Sequence, residues 1–241
     1  MPAQSNFQDA IREAQTSALV GPNVVNKALP FVGGGMILTA VGTFGGLSMV
    51  GSPAFMPLFW LALIGNLVLF FVAQGVASRG NNSTALPLLA LYSLLTGFTL
   101  SGLVALAIST AGIGGVGTAA LATGATFLIA SVYGRRMSDS VGQALGQVVG
   151  LGIIGLLIAM VIQLVGGLFL PGFGGTGFEL MIAGFGTVLF TGAAFLDFYT
   201  MPRTYRDDQY LAGALSMYLT YINLFIFILR LVIALGGSSR D

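Results

Sequence analysis

Two charged residues lie inside long apolar stretches of this 241-residue chain, and they are its first candidates for chemistry. Asp197 lies within 195–199 (FLDFY) and Arg230 within 227–231 (FILRL). A charge at the centre of a bilayer costs roughly 3 kcal/mol on insertion scales, so such residues usually serve a function. Burial favours the neutral form of a carboxyl and a nearby arginine favours its charged form, so a balanced carboxyl can respond to a modest change of pH. Asp197 is therefore a candidate switch, and an acid that reaches the lipid headgroups is the alternative.

The composition places these charges in a membrane protein. Hydrophobic residues make up 56% of the chain and charged residues only 7%, whereas soluble domains carry about 25% charged residues. A soluble enzyme, a nucleic-acid-binding protein and a disordered chain are thereby excluded. The chain has no His and no Cys, which excludes zinc fingers, iron–sulfur clusters, thiol catalysis and disulfides. We expect no cofactor.

Charge-free intervals set the number of membrane crossings, because each spanning helix needs about 20 apolar residues. Breaks at Gly51-Ser52-Pro53, at the glycine-rich stretch 111–117 and at Pro171-Gly172 divide these intervals. The predicted fold is all-α, a bundle of seven transmembrane helices near 30–50, 56–77, 86–110, 118–134, 143–170, 179–200 and 210–235. The predicted organisation is a cytoplasmic segment 1–27, a transmembrane domain 28–236 and a tail 237–241.

The distribution of basic residues predicts the orientation, since cytoplasmic loops are enriched in Lys and Arg. One set of alternate loops holds most of them, namely Arg12, Lys27, Arg79, Arg135, Arg136, Arg203 and Arg206, and the opposite set holds Arg240. The N-terminus is predicted to be cytoplasmic and the C-terminus outside. Glu179 caps the predicted outer end of the sixth helix, where it could face water. Arg230 either takes part in gating or extends its long side chain to the interface.

Glycines and uncharged polar residues within the spans predict helix packing. Gly142, Gly146 and Gly150, and likewise Gly42 and Gly46, recur every fourth residue, so each set lines one helix face that a neighbour can approach closely. Packing inside the bundle is favoured over packing between subunits. Asn66, Gln74, Gln143 and Gln163 are expected to bond across helices rather than to line a pathway. Two Gly-x-Gly-x-x-Gly matches, from Gly112 and from Gly172, lack the strand that a dinucleotide site requires.

Three segments of the chain resemble the Bax inhibitor-1-like family, also called the transmembrane Bax inhibitor motif family. Residues 94–101 (LLTGFTLS) are similar to its aromatic-Thr-Gly-Leu-Ser segment, and 131–138 (SVYGRRMS) to its Tyr-Gly segment. Residues 214–225 (ALSMYLTYINLF), followed by Leu229-Arg230, resemble its Leu-Tyr-Leu-Asp-x-Ile-Asn-Leu-Phe signature. The resemblance covers about residues 30–235 and identifies a bacterial-type member.

The resemblance implies a seven-helix bundle with its last helix near the centre. Bacterial members act as pH-sensitive calcium leaks, and eukaryotic members lower the calcium content of the endoplasmic reticulum and restrain cell death. In such leaks, aspartates on the sixth and seventh helices share a proton at the cytoplasmic side, and an arginine after the second helix stabilises the closed arrangement. By motif position Asp197 corresponds to the first aspartate and Arg79 to the arginine. Arg230 and Asn223 of the last motif are secondary candidates.

The sequence departs from the family pattern at Thr220, which occupies the position of the second aspartate. Two carboxylates that share a proton titrate as a coupled pair, but Asp197 beside a hydroxyl has no such repulsion. Thr220 can donate a hydrogen bond to ionised Asp197, which predicts a weaker or acid-shifted pH response. Calcium prefers six to eight oxygen ligands, so we expect no tightly bound metal and at most a transient calcium ion near Asp197.

The leading hypothesis is a cation leak channel, with calcium as the permeant ion, in which Asp197, Thr220 and Arg79 form the gate. The alternatives are a small-solute or proton-coupled transporter and a membrane scaffold or regulator without transport. An enzyme is not expected, because an intramembrane aspartyl protease needs two carboxylates and only Asp197 is well placed. The expected setting is a bacterial plasma membrane, and the expected state is a monomer or a weak homo-oligomer that binds no nucleic acid.

Overall fold

The computed structural model describes residues 19–170 and 174–237, and all regular structure within them is helical. Most of the predicted N-terminal segment, with Arg12, lies outside the described residues, as do Pro171-Gly172, Arg240 and most of the predicted tail. Six long helices follow one another: α1 Val24–Leu47, α2 Phe55–Ala77, α3 Asn82–Tyr133, α4 Asp139–Phe169, α5 Thr176–Thr204 and α6 Tyr210–Gly237. A short 3-10 helix, Gly134–Arg136, joins α3 to α4.

All six helices are long and apolar enough to cross a membrane. The seven separate helices predicted from the sequence are not found in the described residues, because the segments predicted near 86–110 and 118–134 both belong to α3. The glycine-rich stretch 111–117 was expected to be a loop. Within it only Gly112 leaves helical dihedral angles, with a φ of 71° and a ψ of 175°, a backbone region that glycine adopts without steric cost.

The third helix folds back on itself at Gly112. The ring of Tyr92 lies 5.7 Å from that of Tyr218 on α6, and the ring of Phe127 lies 5.1 Å from that of Tyr221 on α6. A straight helix would separate positions 92 and 127 by about 50 Å, yet both contact residues only three positions apart on α6. The two halves of α3 therefore run in opposite directions along the same helix.

The last helix lies in the middle of the described bundle. It packs against α1, α2, α3 and α5, and its fully buried side chains include Met217, Tyr218, Leu224 and Leu229. By contrast, α4 packs against α5 and has only three buried residues, Gly142, Val149 and Leu156. The large exposed hydrophobic side chains of α2 and α4 are those that a lipid environment covers.

Glycines set the closest helix contacts, as the sequence predicts. A Cβ on Gly42 would lie less than 3.0 Å from the backbone of Leu94, and one on Gly97 less than 3.0 Å from the backbone of Thr39. The stripe on α4 packs on α5 in the same way: Gly142 meets the ring of Tyr199 and Gly146 faces Leu196, while Gly150 has open space. Packing inside the bundle is thus confirmed for Gly42 and Gly46 and for the Gly142 end of the second stripe, but not for Gly150.

The described basic side chains other than Arg230 gather at one end of the bundle. Lys27 lies in the first turn of α1 and Arg79 follows α2. Arg135 lies between α3 and α4, and Arg206 lies between α5 and α6. We call this end the basic end and the other, where α1 and α4 finish and α5 starts, the far end. Within the described residues, the structure thereby brings together the cations that the sequence places in one set of loops, Arg12 lying outside those residues.

Candidate functional site

Asp197 and Thr220 face one another from α5 and α6. The Thr220 hydroxyl lies within hydrogen-bonding range of the Asp197 carboxyl. Asp197 is partly buried, Thr220 is buried, and the Oδ2 atom of Asp197 is shielded from solvent without a hydrogen-bond partner among the described residues. Asp197 stands seven residues before the end of α5 at Thr204, so it lies about 10 Å inside the basic end. The structure thus joins the two residues that the motif comparison singled out.

The residue that follows this carboxyl, Phe198, contacts an aromatic ring and a guanidinium group. Phe198 is buried, and its ring lies 6.2 Å from that of Phe127 on α3. The guanidinium of Arg135 lies 5.8 Å from the centre of the Phe198 ring, and its Nη1 donates a 3.0 Å hydrogen bond to Asn26. In the sequence, Arg135 is an orientation signal and lies within a family-like segment, and the structure places it beside the ring of the residue that follows Asp197.

Arg79 is not brought to Asp197. Its side chain is exposed after the last turn of α2, and the described residues contain no ion pair between it and Asp197. Asn223 also stays apart from the pair, because its amide donates a 2.9 Å hydrogen bond to the carbonyl of Leu219 in its own helix. Of the five candidate residues, the structure therefore joins only Asp197 and Thr220.

Arg230 forms a second polar site at the far end. Its Nη2 donates to Glu179 Oε2 at 2.7 Å and to Gln163 Oε1 at 3.4 Å, and Gln163 in turn donates to Glu179. These contacts link α4, α5 and α6. A cavity of about 600 Å³ opens beside them, lined also by Leu103, Thr110 and Ile233. The sequence indicated Glu179 only as a water-facing cap, because nothing in the sequence places residue 179 beside residue 230.

A cluster of buried hydroxyls, absent from the sequence-based candidates, lies on the face of α6 that meets α1 and α3. The hydroxyl of Tyr218 bonds that of Thr39, which also donates to the carbonyl of Ser93 at 3.2 Å. Asn66 of α2 donates to Thr96 at 2.9 Å. Thr96 and Tyr218 both belong to the family-like segments, so these motifs could have pointed to the cluster. Which of the hydroxyls contact one another could not be read from the sequence.

The predicted cross-helix bonds form for two of the four amides, and a third amide bonds the segment that follows α5. Asn66 bonds Thr96, Gln163 bonds Glu179, and Gln74 donates to the Tyr205 hydroxyl at 3.2 Å. Gln143 is exposed, and the described contacts give it no bond across helices.

The oxygen donors at the Asp197 site are too few for a tight calcium site. The described residues contain no group of three or more His, Cys, Asp or Glu side chains that could hold a metal. Asp197 and Thr220 supply one carboxylate and one hydroxyl, whereas calcium prefers six to eight oxygens. Any cation here would be held briefly and would keep much of its water.

The fold and these sites define a multi-pass integral membrane protein with a partly buried acidic residue between its last two helices. A family model described as "Inhibitor of apoptosis-promoting Bax1" matches residues 21–240. The chain therefore belongs to this family, the Bax inhibitor-1-like family.

Bacterial relatives align over most of their length. The chain is 32% identical over 192 residues to a Lactococcus lactis protein, with 76% of each chain covered. It is 32% identical over 182 residues to a Streptococcus pyogenes protein named as a membrane protein, covering 72% of this chain and 73% of the relative. A Helicobacter pylori protein is 28% identical over 208 residues, covering 86% and 85%.

Proposed function

We propose that this protein is a pH-sensitive leak channel for cations, with calcium as the permeant ion, gated by protonation of Asp197. The observation that carries the proposal is the buried Oδ2 of Asp197, to which no described residue donates a hydrogen bond. A carboxylate oxygen without a donor attracts either a cation or a proton. The cation and the proton compete for the same oxygen atom, so the occupancy of this site by the cation depends on pH.

Ionised Asp197 and the Thr220 hydroxyl form a weak, transient cation site that suits passage better than storage. Protonation removes the negative charge and with it the attraction for the ion. It also changes the balance between closed and open packings of α5 and α6, because only one of them favours the charged carboxyl. Arg79 would act on Asp197 only in an arrangement of the bundle other than the one described, since here it is exposed and unpaired with that carboxyl.

The proposed topology places the basic end at the cytoplasmic face of a bacterial plasma membrane, in accord with the distribution of Lys and Arg. Each half of α3 then crosses the bilayer once, which gives seven crossings and an outside C-terminus. The Arg230–Glu179 contact and the far-end cavity would face the outer side. We propose that the protein acts as a monomer or a weak homo-oligomer.

Calcium flux through the purified protein in liposomes between about pH 6 and 8 tests this function. The wild type should leak, and Asp197→Asn, which keeps the side-chain shape but cannot titrate, should abolish the pH dependence. Asp139→Asn is the matched control, because Asp139 lies at the basic end but bonds Arg203 and Tyr199 rather than Thr220. Absence of flux above empty liposomes, or identical pH profiles for the wild type and Asp197→Asn, would exclude the proposal.

A small-solute transporter is the second candidate, and the far-end cavity favours it. Its volume of about 600 Å³ lies within the range of ligand pockets. A transporter would show saturation and stimulation by an imposed gradient, whereas a leak would show passive flux. A scaffold without transport would show no flux until a partner is added.

A further inference from the structure

The connection between α5 and α6 is tied to the first helix. Residues 205–209 form this loop, which we call the clasp. Asp207 accepts two hydrogen bonds from Asn23, at 2.9 Å from the backbone amide and 3.2 Å from the side chain. The Lys27 ammonium lies 3.7 Å from the Asp207 carboxylate and donates to the Asp207 carbonyl at 3.3 Å. One loop residue thus bonds both the residue before α1 and its first turn.

The backbone before α1 also fits closely against the clasp. The amides of Val20 and Gly21 both donate to the carbonyl of Pro202, near the end of α5, at 2.9 and 3.0 Å. A Cβ on Gly21 would lie less than 3.0 Å from the carbonyl oxygen of Tyr205. Only glycine allows this approach, so segment 19–23 and the clasp pack closely against each other.

The other side of the clasp is tied to the turn between α2 and α3. Asn82 donates to the carbonyl of Asp208 at 2.7 Å, and Gln209 donates to the carbonyl of Ser78 at 2.5 Å. The carboxylate of Asp208, by contrast, bonds Arg206 within the loop, at 3.0 Å, and among the described residues it makes no hydrogen bond to another helix. The clasp therefore joins α5 and α6 to three other helices, and Asp207 supplies the side-chain bonds to α1.

Asp197 lies on α5 and Thr220 on α6, and the clasp connects these two helices directly. Separation of α5 and α6 from α1 and the α2–α3 turn would expose the pair from the basic end, and this movement requires the bonds of Asp207 to break. We infer that the clasp closes the basic end over the Asp197–Thr220 pair, and that the contacts of Asp207 hold the clasp in this closed position. The inference that the clasp regulates ion passage rests on the proposed function, but the closure of the basic end by the clasp can be measured without any flux assay.

The chain contains no cysteine, so Thr220→Cys introduces a unique thiol at the site. The experiment measures the rate at which a water-soluble, membrane-impermeant maleimide modifies this thiol in lipid nanodiscs. Adding Asp207→Ala should raise the rate about tenfold, which corresponds to the loss of a hydrogen bond to a charged group. Asp208→Ala is the matched control, with the same charge removed one residue away, and it should leave the rate unchanged. Equal rates for the two double variants would overturn the inference.

Hydrogen–deuterium exchange on proteins that keep Thr220 provides a second measurement, in case the cysteine variant folds poorly. Asp207→Ala should speed exchange in the basic-end turns of α5 and α6, and Asp208→Ala should not. If Asp207→Ala speeds exchange but the wild type passes no ions, the closing role of the clasp is supported and the leak proposal fails. If the wild type leaks but Asp207→Ala leaves exchange unchanged, the inference about the clasp is overturned and the leak proposal stands.

Discussion

The hydroxyl of Thr220 lies against the carboxyl of Asp197, so a neutral donor faces the acid at the position where the motif resemblance implies a second aspartate. A single carboxyl titrates as one group, whereas two close carboxyls hold one proton much more tightly than the other.

Restoring the second acid should therefore change the pH response. Thr220→Asp is expected to shift the midpoint of the flux–pH curve upward, because the two neighbouring carboxylates would repel and retain a proton to higher pH. Thr220→Val, which has the same shape without the hydroxyl, serves as the control. Flux assays in liposomes across the same pH series would measure both, and an unchanged midpoint in Thr220→Asp would argue against a shared site.

Close packing of α1 on α3 makes Gly97 intolerant of a methyl group. Gly97→Ala should lower the free energy of unfolding by several kcal/mol, since overpacking without room to adjust costs about 1–3 kcal/mol or more. Gly45→Ala, at a position on α1 with open space, should be neutral or slightly stabilising. Thermal unfolding in detergent compares the two, and similar losses would mean that the helices do not meet at Gly97.

The buried Tyr218 hydroxyl should contribute to stability. Tyr218→Phe removes its bond to Thr39 and is expected to cost about 1 kcal/mol, as for other interhelical hydrogen bonds in membranes. Tyr221→Phe is a matched control three residues later, because the described contacts give its hydroxyl no hydrogen bond. Denaturant titration of both variants would measure the difference, and equal losses would contradict a specific role for the cluster.

The far-end ion pair should show energetic coupling. Arg230→Gln and Glu179→Gln are each expected to destabilise the protein, and the double variant should lose less than the sum of the two. The side chains are 17% and 39% exposed, so the coupling energy should be near the upper end of surface pairs, about 1 kcal/mol. A double-mutant cycle on thermal unfolding measures it, and additive losses would mean that the pair contributes no energy of its own.

The clasp should resist mild acid. Partial desolvation opposes the shift, but the hydrogen bonds from Asn23 and the nearby Lys27 lower the pKa of Asp207 below its ordinary value. A carboxyl with a lowered pKa stabilises the folded state above its unfolded pKa, and this contribution is lost as the pH falls through the folded pKa. The Asp207 contacts should thus persist at neutral pH and weaken only below about pH 4. Hydrogen–deuterium exchange in the basic-end turns of α5 and α6, corrected for the intrinsic pH dependence of amide exchange, would check this. A loss of protection between about pH 8 and 6 that survives Asp197→Asn would contradict it.

The sequence predicted those features that depend on local pattern. Apolar runs located the helices, four-residue glycine spacing predicted close helix packing of the kind found between α1 and α3, and the motif resemblance placed Thr220 with Asp197. Pairings between distant residues were not accessible, such as Glu179 with Arg230 or Asn23 with Asp207, because periodicity shows which face a residue occupies and not its partner. The glycine-rich stretch 111–117 misled the helix count, because the chain reverses at the single non-helical residue Gly112 and not through a loop of several residues.

The bend at Gly112 has an electrostatic consequence. The peptide dipoles of a helix leave a partial negative charge at its C-terminal end and a partial positive charge at its N-terminal end. At Gly112 the C-terminal end of the first half of α3 meets the N-terminal end of the second half, so these partial charges offset one another. Residues 80–134 contain no Asp, Glu, Lys or Arg, and the turn needs none, because the backbone neutralises itself there.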